Sequence, residues 1–262
     1  MFRFIRLGLI FFKANVKETL TYRASFIAGF VSVVFWVTLS LISISILTYQ
    51  SMSVGGWTKY ELFLAQGIYS IILGIMYFVF RANFKEMSRL ISRGDLDLIL
   101  LKPYDSQYLV SVGKFIMHQL SRIVIGMFLV VFSLHVLDVT PTLTELLMFV
   151  PLLVSSLLII YSLWFFITTL SIWLVDLFNL DELFIQVTGV TRYPLEIFKF
   201  ISNILLYITM PLVVITTVPS QILLGKLSPT LAFWSLLISI SLFIFTRKFW
   251  QFALKHYTSA SS

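Results

Sequence analysis

Six long apolar stretches leave this chain little choice of solvent. They run near Ala24–Thr48, Tyr60–Phe80, Ile123–Leu137, Leu146–Val175, Ile197–Val218 and Leu231–Thr246. A water-soluble domain of 262 residues can bury one core, but it cannot hide runs of about twenty apolar residues repeated along its length. Only 12% of the residues are charged, about half of what a soluble domain carries. The expected fold class is therefore an all-α polytopic membrane protein, a single transmembrane domain over 1–262 with six spans. They are placed at about 24–48, 60–80, 109–137, 144–175, 197–218 and 230–248. The third is extended back to Leu109, which sets Lys114, His118 and Arg122 at headgroup level. The sixth leans on Arg247, Lys248 and Trp250 as interfacial anchors.

Basic residues set the orientation. With the amino end inside, all but Lys59 and Lys226 of the nineteen Lys and Arg fall on inner segments. The positive-inside rule then places both termini in the cytoplasm. The net charge of +7 is spread beside apolar runs instead of forming one basic domain, which points to membrane lipid and away from nucleic acid. Residues 1–23 place Arg3, Arg6, Lys13 and Lys17 on one helical face and Phe4, Ile5, Leu9, Phe12 and Val16 on another, as an interfacial helix does. A cleavable signal is not expected there, because Lys13 and Lys17 interrupt the apolar run. The chain has no cysteine, so disulfides and thiolate chemistry are excluded.

The inner segment after the second span stands out. Arg81, Lys85, Arg89 and Arg93 recur every four residues as a cationic stripe, with Phe84, Met87 and Ile91 on another face. Gly94 suits a helix C-cap. The stripe fits either adhesion to the inner leaflet or a ledge for a soluble partner. Within the spans, the polar residues are uncharged: Gln66, Tyr69 and Tyr77 on the second, and Asn203, Tyr207, Thr216 and Thr217 on or after the fifth. They are candidates for lining a substrate route, although interhelical hydrogen bonding is the commoner role. Lys114, His118 and Arg122, at four-residue spacing, share a face of the third helix, where snorkelling is the simpler expectation and a cationic vestibule the sharper one. Pro211 and Pro219 favour a kink or break in the fifth span.

Gly94-Asp95-Leu96-Asp97, followed by Leu100-Leu101-Lys102-Pro103, resembles the loop after the second span in a poorly characterised branch of ABC-2-type permeases. Arg192-Tyr193-Pro194, and Pro219 through Leu224-Gly225-Lys226, resemble that family too. The resemblance implies a membrane subunit of an exporter. It would work as a homo- or heterodimer with a second permease, on cytoplasmic ABC ATPase subunits that bind ATP and Mg²⁺; no cofactor is expected on this chain. It also implies that 81–94 is a coupling helix, with Arg81, Lys85, Glu86, Arg89, Arg93, Gly94, Asp95 and Asp97 forming the ATPase contact. Re-entrant helices between the last two spans would have only 216–229 available. A bacterial inner membrane is the expected location.

Two other function classes find less support in the residues. A membrane-embedded lipid-modifying enzyme needs clustered catalytic groups, whereas His118, His135 and His256 are scattered. An ion-gradient-driven carrier ordinarily buries acidic groups or repeats broken helices, and neither pattern is present in the sequence. No Gly-rich phosphate loop occurs, so ATP hydrolysis is not expected on this chain.

Overall fold

A computed structural model describes residues 2–49, 53–174, 188–192 and 214–257. Helix α1 (Phe2–Thr21) breaks at Tyr22 into α2 (Arg23–Leu47), and a two-residue hairpin (β1, Ser53–Val54; β2, Trp57–Thr58) leads to α3 (Lys59–Met76). A π-helical turn, Tyr77–Arg81, joins α3 to α4 (Ala82–Arg93) without interrupting the helical run. Short helices α5 (Asp97–Leu100) and α6 (Ser106–Ser111) follow, then α7 (Leu120–Val136) and α8 (Leu143–Thr169). Helices α9 (Val214–Leu223) and α10 (Pro229–His256) complete the described chain. Among the described residues, five helical runs are long and apolar enough to cross a membrane: 23–47, 59–93, 117–136, 143–172 and 229–256. The expected fifth span, 197–218, lies mostly outside the described residues, and Asn203, Tyr207 and Pro211 lie there with it.

Two helix pairs organise the fold. Helices α3 and α7 cross at Gly67 and Gly126, so closely that a Cβ on Gly126 would stand 2.6 Å from the Gly67 carbonyl oxygen. Small residues of this kind let backbones approach and dispersion accumulate where water offers no hydrophobic drive. Helices α8 and α10 pair instead through rings: Phe165 meets Trp250 edge-on at 5.3 Å, and Phe166 meets Phe249 at 4.6 Å. Helix α9 is buried along its length, and the Ser156 hydroxyl of α8 donates to its Ile215 carbonyl at 2.7 Å.

The structure alters two expectations. The third span is not one continuous helix from Leu109. α6 ends at Ser111, Val112 is extended, and regular α-helix resumes only at Leu120. Lys114, His118 and Arg122 therefore do not share one helical face. The freed backbone is satisfied from both sides. Asn83 donates to the Lys114 carbonyl and accepts from its N–H, both at 2.9 Å, while Asn15 of α1 does the same for Gly113 and Phe115 at 3.1 and 3.2 Å. Second, Pro219 sits inside α9, and the helix runs on to Leu223. Of 216–229, the part through Leu223 is helix, and Pro229 already begins α10. The described part of α9 rises about 15 Å. Arg192 turns toward α2 and α3. Its Nη1 reaches the Ser40 hydroxyl at 3.3 Å and its guanidinium lies 5.7 Å from the Tyr69 ring centre. Tyr69 is ten residues into α3, about 15 Å along its axis.

Candidate functional site

Two sites emerge, one at the α4 end and one between the helices. Helix α4 is amphipathic, and its apolar face is fully used: Phe84, Met87 and Ile91 are buried. Phe84 packs against Phe80, Tyr161, Trp164 and Phe165 at 5.4–5.8 Å. The Ser88 and Ser171 hydroxyls share a hydrogen bond of 3.2 Å. Gly94 ends the helix in the left-handed region, at φ 76°, and Asp95 N–H donates back to the Leu90 carbonyl at 2.9 Å. A side chain there would be strained.

The cationic stripe divides. Four-residue spacing drifts about 40° per step at 100° per residue, so Arg81 and Arg93 point well apart. Lys85, Arg89 and Arg93 are exposed, and Asp95 with them. Arg81 turns inward, 4.8 Å above the Tyr77 ring. Glu86 lies 3.4 Å from Arg89 and 3.5 Å from Lys114, exposed pairs that contribute little to stability. Beyond the cap, Leu96 is buried and Asp97 half-buried, while Leu98 and Leu101 are 64% and 83% exposed. The end of this segment is tied to α10. Arg247 grips both Asp105 oxygens and donates to Gln107 at 2.9 Å, and Trp250 Nε1 donates to Ser106 at 3.1 Å. Burial works against ionisation of Asp105, but the Arg247 guanidinium and the Tyr108 N–H outweigh it and hold the carboxyl below its usual range.

The second site is a cavity of about 470 Å³ between α2, α3, the start of α7 and 188–192. Gln66, Tyr69 and Tyr77 all line it. Thr216 and Thr217 are buried on α9 and do not. His118 and Arg122, grouped by spacing as a cationic vestibule, line it too without Lys114, and the structure adds Arg81 and Arg192 to them. Arg81 and Arg122 face the same Tyr77 ring, at 4.8 and 5.6 Å. Two cations beside one ring repel each other. Among the described lining residues there is no carboxylate to offset them. Val33, Val37 and Leu73 complete an apolar wall.

Asn15 and Asn83 were also missed as a pair. The available signal was local: each is an amide on an otherwise apolar or cationic helix, and only the break at 112–116 shows what they serve.

Long apolar helices packed around a polar cavity, with an anchored helix displayed at one end, define a multi-pass membrane protein built for transport. A family model described as ABC-2 family transporter protein matches residues 34–261, and the chain belongs to that family. It is thus a permease of an ABC transporter. No curated protein and no solved structure matches it.

Proposed function

We infer that this chain is the membrane half of an ABC exporter in a bacterial plasma membrane, with both termini cytoplasmic. It provides the route for a hydrophobic or amphipathic molecule and pairs with a second permease, identical or related. Separate ABC ATPase subunits bind ATP and Mg²⁺ and supply the work. The observation that carries this is α4: one face is locked into the ring cluster around Phe84, while Lys85, Arg89 and Arg93 are exposed on it and Leu98 and Leu101 are exposed in the segment that follows. A helix gripped by the membrane domain and offering cations with leucines outward suits a partner that must push on the bundle. Adhesion to lipid would be served as well by a helix not locked to α8. Glu86, Gly94, Asp95 and Asp97 border that surface, and Arg81 belongs to the cavity instead.

The test is co-expression with the ATPase encoded beside the gene, followed by co-elution and ATP turnover. Wild type should retain the ATPase, and Lys85→Glu/Arg89→Glu/Arg93→Glu should lose it or uncouple it. Equal retention and equal coupled turnover in the triple variant would remove α4 from the contact. No ATPase on wild type would defeat the exporter reading itself.

A further inference from the structure

The cavity between α2, α3 and α7 has a composition that packing alone does not require. Three guanidiniums and His118 enter a space bounded by membrane-spanning helices, and none of Arg81, Arg122 and Arg192 forms an ion pair among the described residues. Intramembrane charge is costly and ordinarily faces a partner or a substrate path. Three buried polar atoms also lack a hydrogen-bond partner among the described residues: the Arg122 Nε–H, the Gln66 Oε1 and the Gln119 Oε1. Gln66 is 2% exposed and Gln119 4%. All three atoms belong to residues that line this cavity, as do the apolar Val33 and Val37 of α2 and Leu73 of α3. Interhelical glue would have consumed these groups.

We propose that this cavity binds the headgroup of an anionic amphiphile that also carries hydroxyl donors, such as a glycerol phosphate or sugar phosphate on an apolar tail. The anion meets Arg122 and Arg192, with Arg81 at the α4 end. Headgroup hydroxyls donate to Gln66 and Gln119, and the tail lies along the apolar wall. The volume of about 470 Å³ falls within the range of small-molecule sites. Two sources share this chemistry, a resident bilayer lipid and the exported cargo. That the ligand travels rests on the exporter reading; that it binds does not.

The test titrates the purified full chain, in neutral maltoside micelles, with dihexanoyl-phosphatidylglycerol, dihexanoyl-phosphatidylcholine and glycerol 3-phosphate. Saturable binding of the phosphatidylglycerol is expected, weakened about 10- to 100-fold in Arg122→Gln/Arg192→Gln, since hydrogen bonds to charged groups are of that strength. Gln66→Leu should weaken it severalfold, and the exposed Lys248→Gln should leave it unchanged. Equal affinity for the phosphatidylcholine, or for glycerol 3-phosphate without a tail, would overturn the proposal. So would unchanged affinity in a double variant that stays monodisperse. If that variant aggregates, Gln66→Leu decides, and wild-type affinity there overturns the site. Native mass spectrometry of the complex with its ATPase, before and after ATP turnover, separates the sources. A phosphatidylglycerol held through turnover is a resident lipid, and one depleted by turnover is cargo; both outcomes keep the site. Failure of any ATPase to co-purify would count against the exporter reading alone and leave the titration intact.

Discussion

The two halves of the helix bundle are built on opposite principles. On the α8–α10 side, rings pack on rings: Trp164, Phe165 and Trp250 are fully buried, and Tyr161 closes hydrogen bonds to Gln107 and Ser111. On the α2–α3–α7 side, glycine contacts bring the backbones together, and polar and cationic groups are left facing a cavity. The first half holds α4 in place; the second leaves room. Stability and function are therefore expected to separate by side, and substitutions can test that division directly.

The largest loss belongs to the ring cluster. Phe84→Ala removes a side chain touching four other rings and should cost about 3–5 kcal/mol in unfolding experiments in micelles. It should also release α4, so that ATPase retention falls with stability. A loss under about 1 kcal/mol would mean that α4 is held by something other than this cluster.

Next comes the seam between the halves. Asn83→Leu leaves the Lys114 carbonyl and N–H without their partner in a segment that is not helical, and a buried orphan of this kind costs about 1–3 kcal/mol. Asn15→Leu should do the same from the α1 side. A double-mutant cycle should give a combined loss smaller than the sum, because both amides brace one strand of backbone. Strict additivity would show that the two act independently.

A smaller effect, with a pH signature, is expected where the loop before α6 meets α10. Asp105 is held below its ordinary pKa, so its pair with Arg247 stabilises the fold fully above the unfolded value of about 4, and that contribution fades as pH falls through the lower folded value. Asp105→Asn should lower stability by up to about 1 kcal/mol at neutral pH, the range for a partly exposed pair. The gap to wild type should close in acid below about pH 4. A gap that stays constant would show that the loss comes from packing and not from the charge.

How much of this was legible beforehand follows from the range of each interaction. Spans such as Ala24–Thr48 declare themselves because lipid demands a contiguous apolar run, and Gly94 declares a helix end because few residues tolerate its backbone. The inward turn of Arg81 needed only the drift of a four-residue spacing, yet the π-turn at Tyr77–Arg81 hid its final direction. The break at 112–116 was invisible. Lys114, His118 and Arg122 fit a helix as well as a kink, and what opens the chain there is a pair of amides from distant helices, Asn15 and Asn83. Arg192 counts as an inner-segment cation in the sequence, which says nothing of its partners Ser40 and Tyr69, far away along the chain. The cavity is assembled from four separate segments, so local spacing reports its pieces, Gln66, Tyr69 and Tyr77 on one helix and His118 with Arg122 on another, but not their meeting.

The smallest expected effect on stability is the most telling for the comparison. Arg192→Gln removes a cation that has contacts with Ser40 and the Gly189 carbonyl but no described carboxylate, and it lies near like charges. The lost hydrogen bonds and cation–π contact are worth about 1 kcal/mol each or less, and relief from repulsion and desolvation is of similar size and opposite sign. Unfolding should therefore shift by no more than about 1 kcal/mol in either direction, while Phe84→Ala on the other side of the bundle costs about 3–5 kcal/mol. A loss of about 3 kcal/mol or more would mean that Arg192 is a structural strut, paired with residues beyond those described. A near-zero shift, or a gain, would mark a charge kept in the membrane at no benefit to folding, which is what a site retained for its ligand looks like.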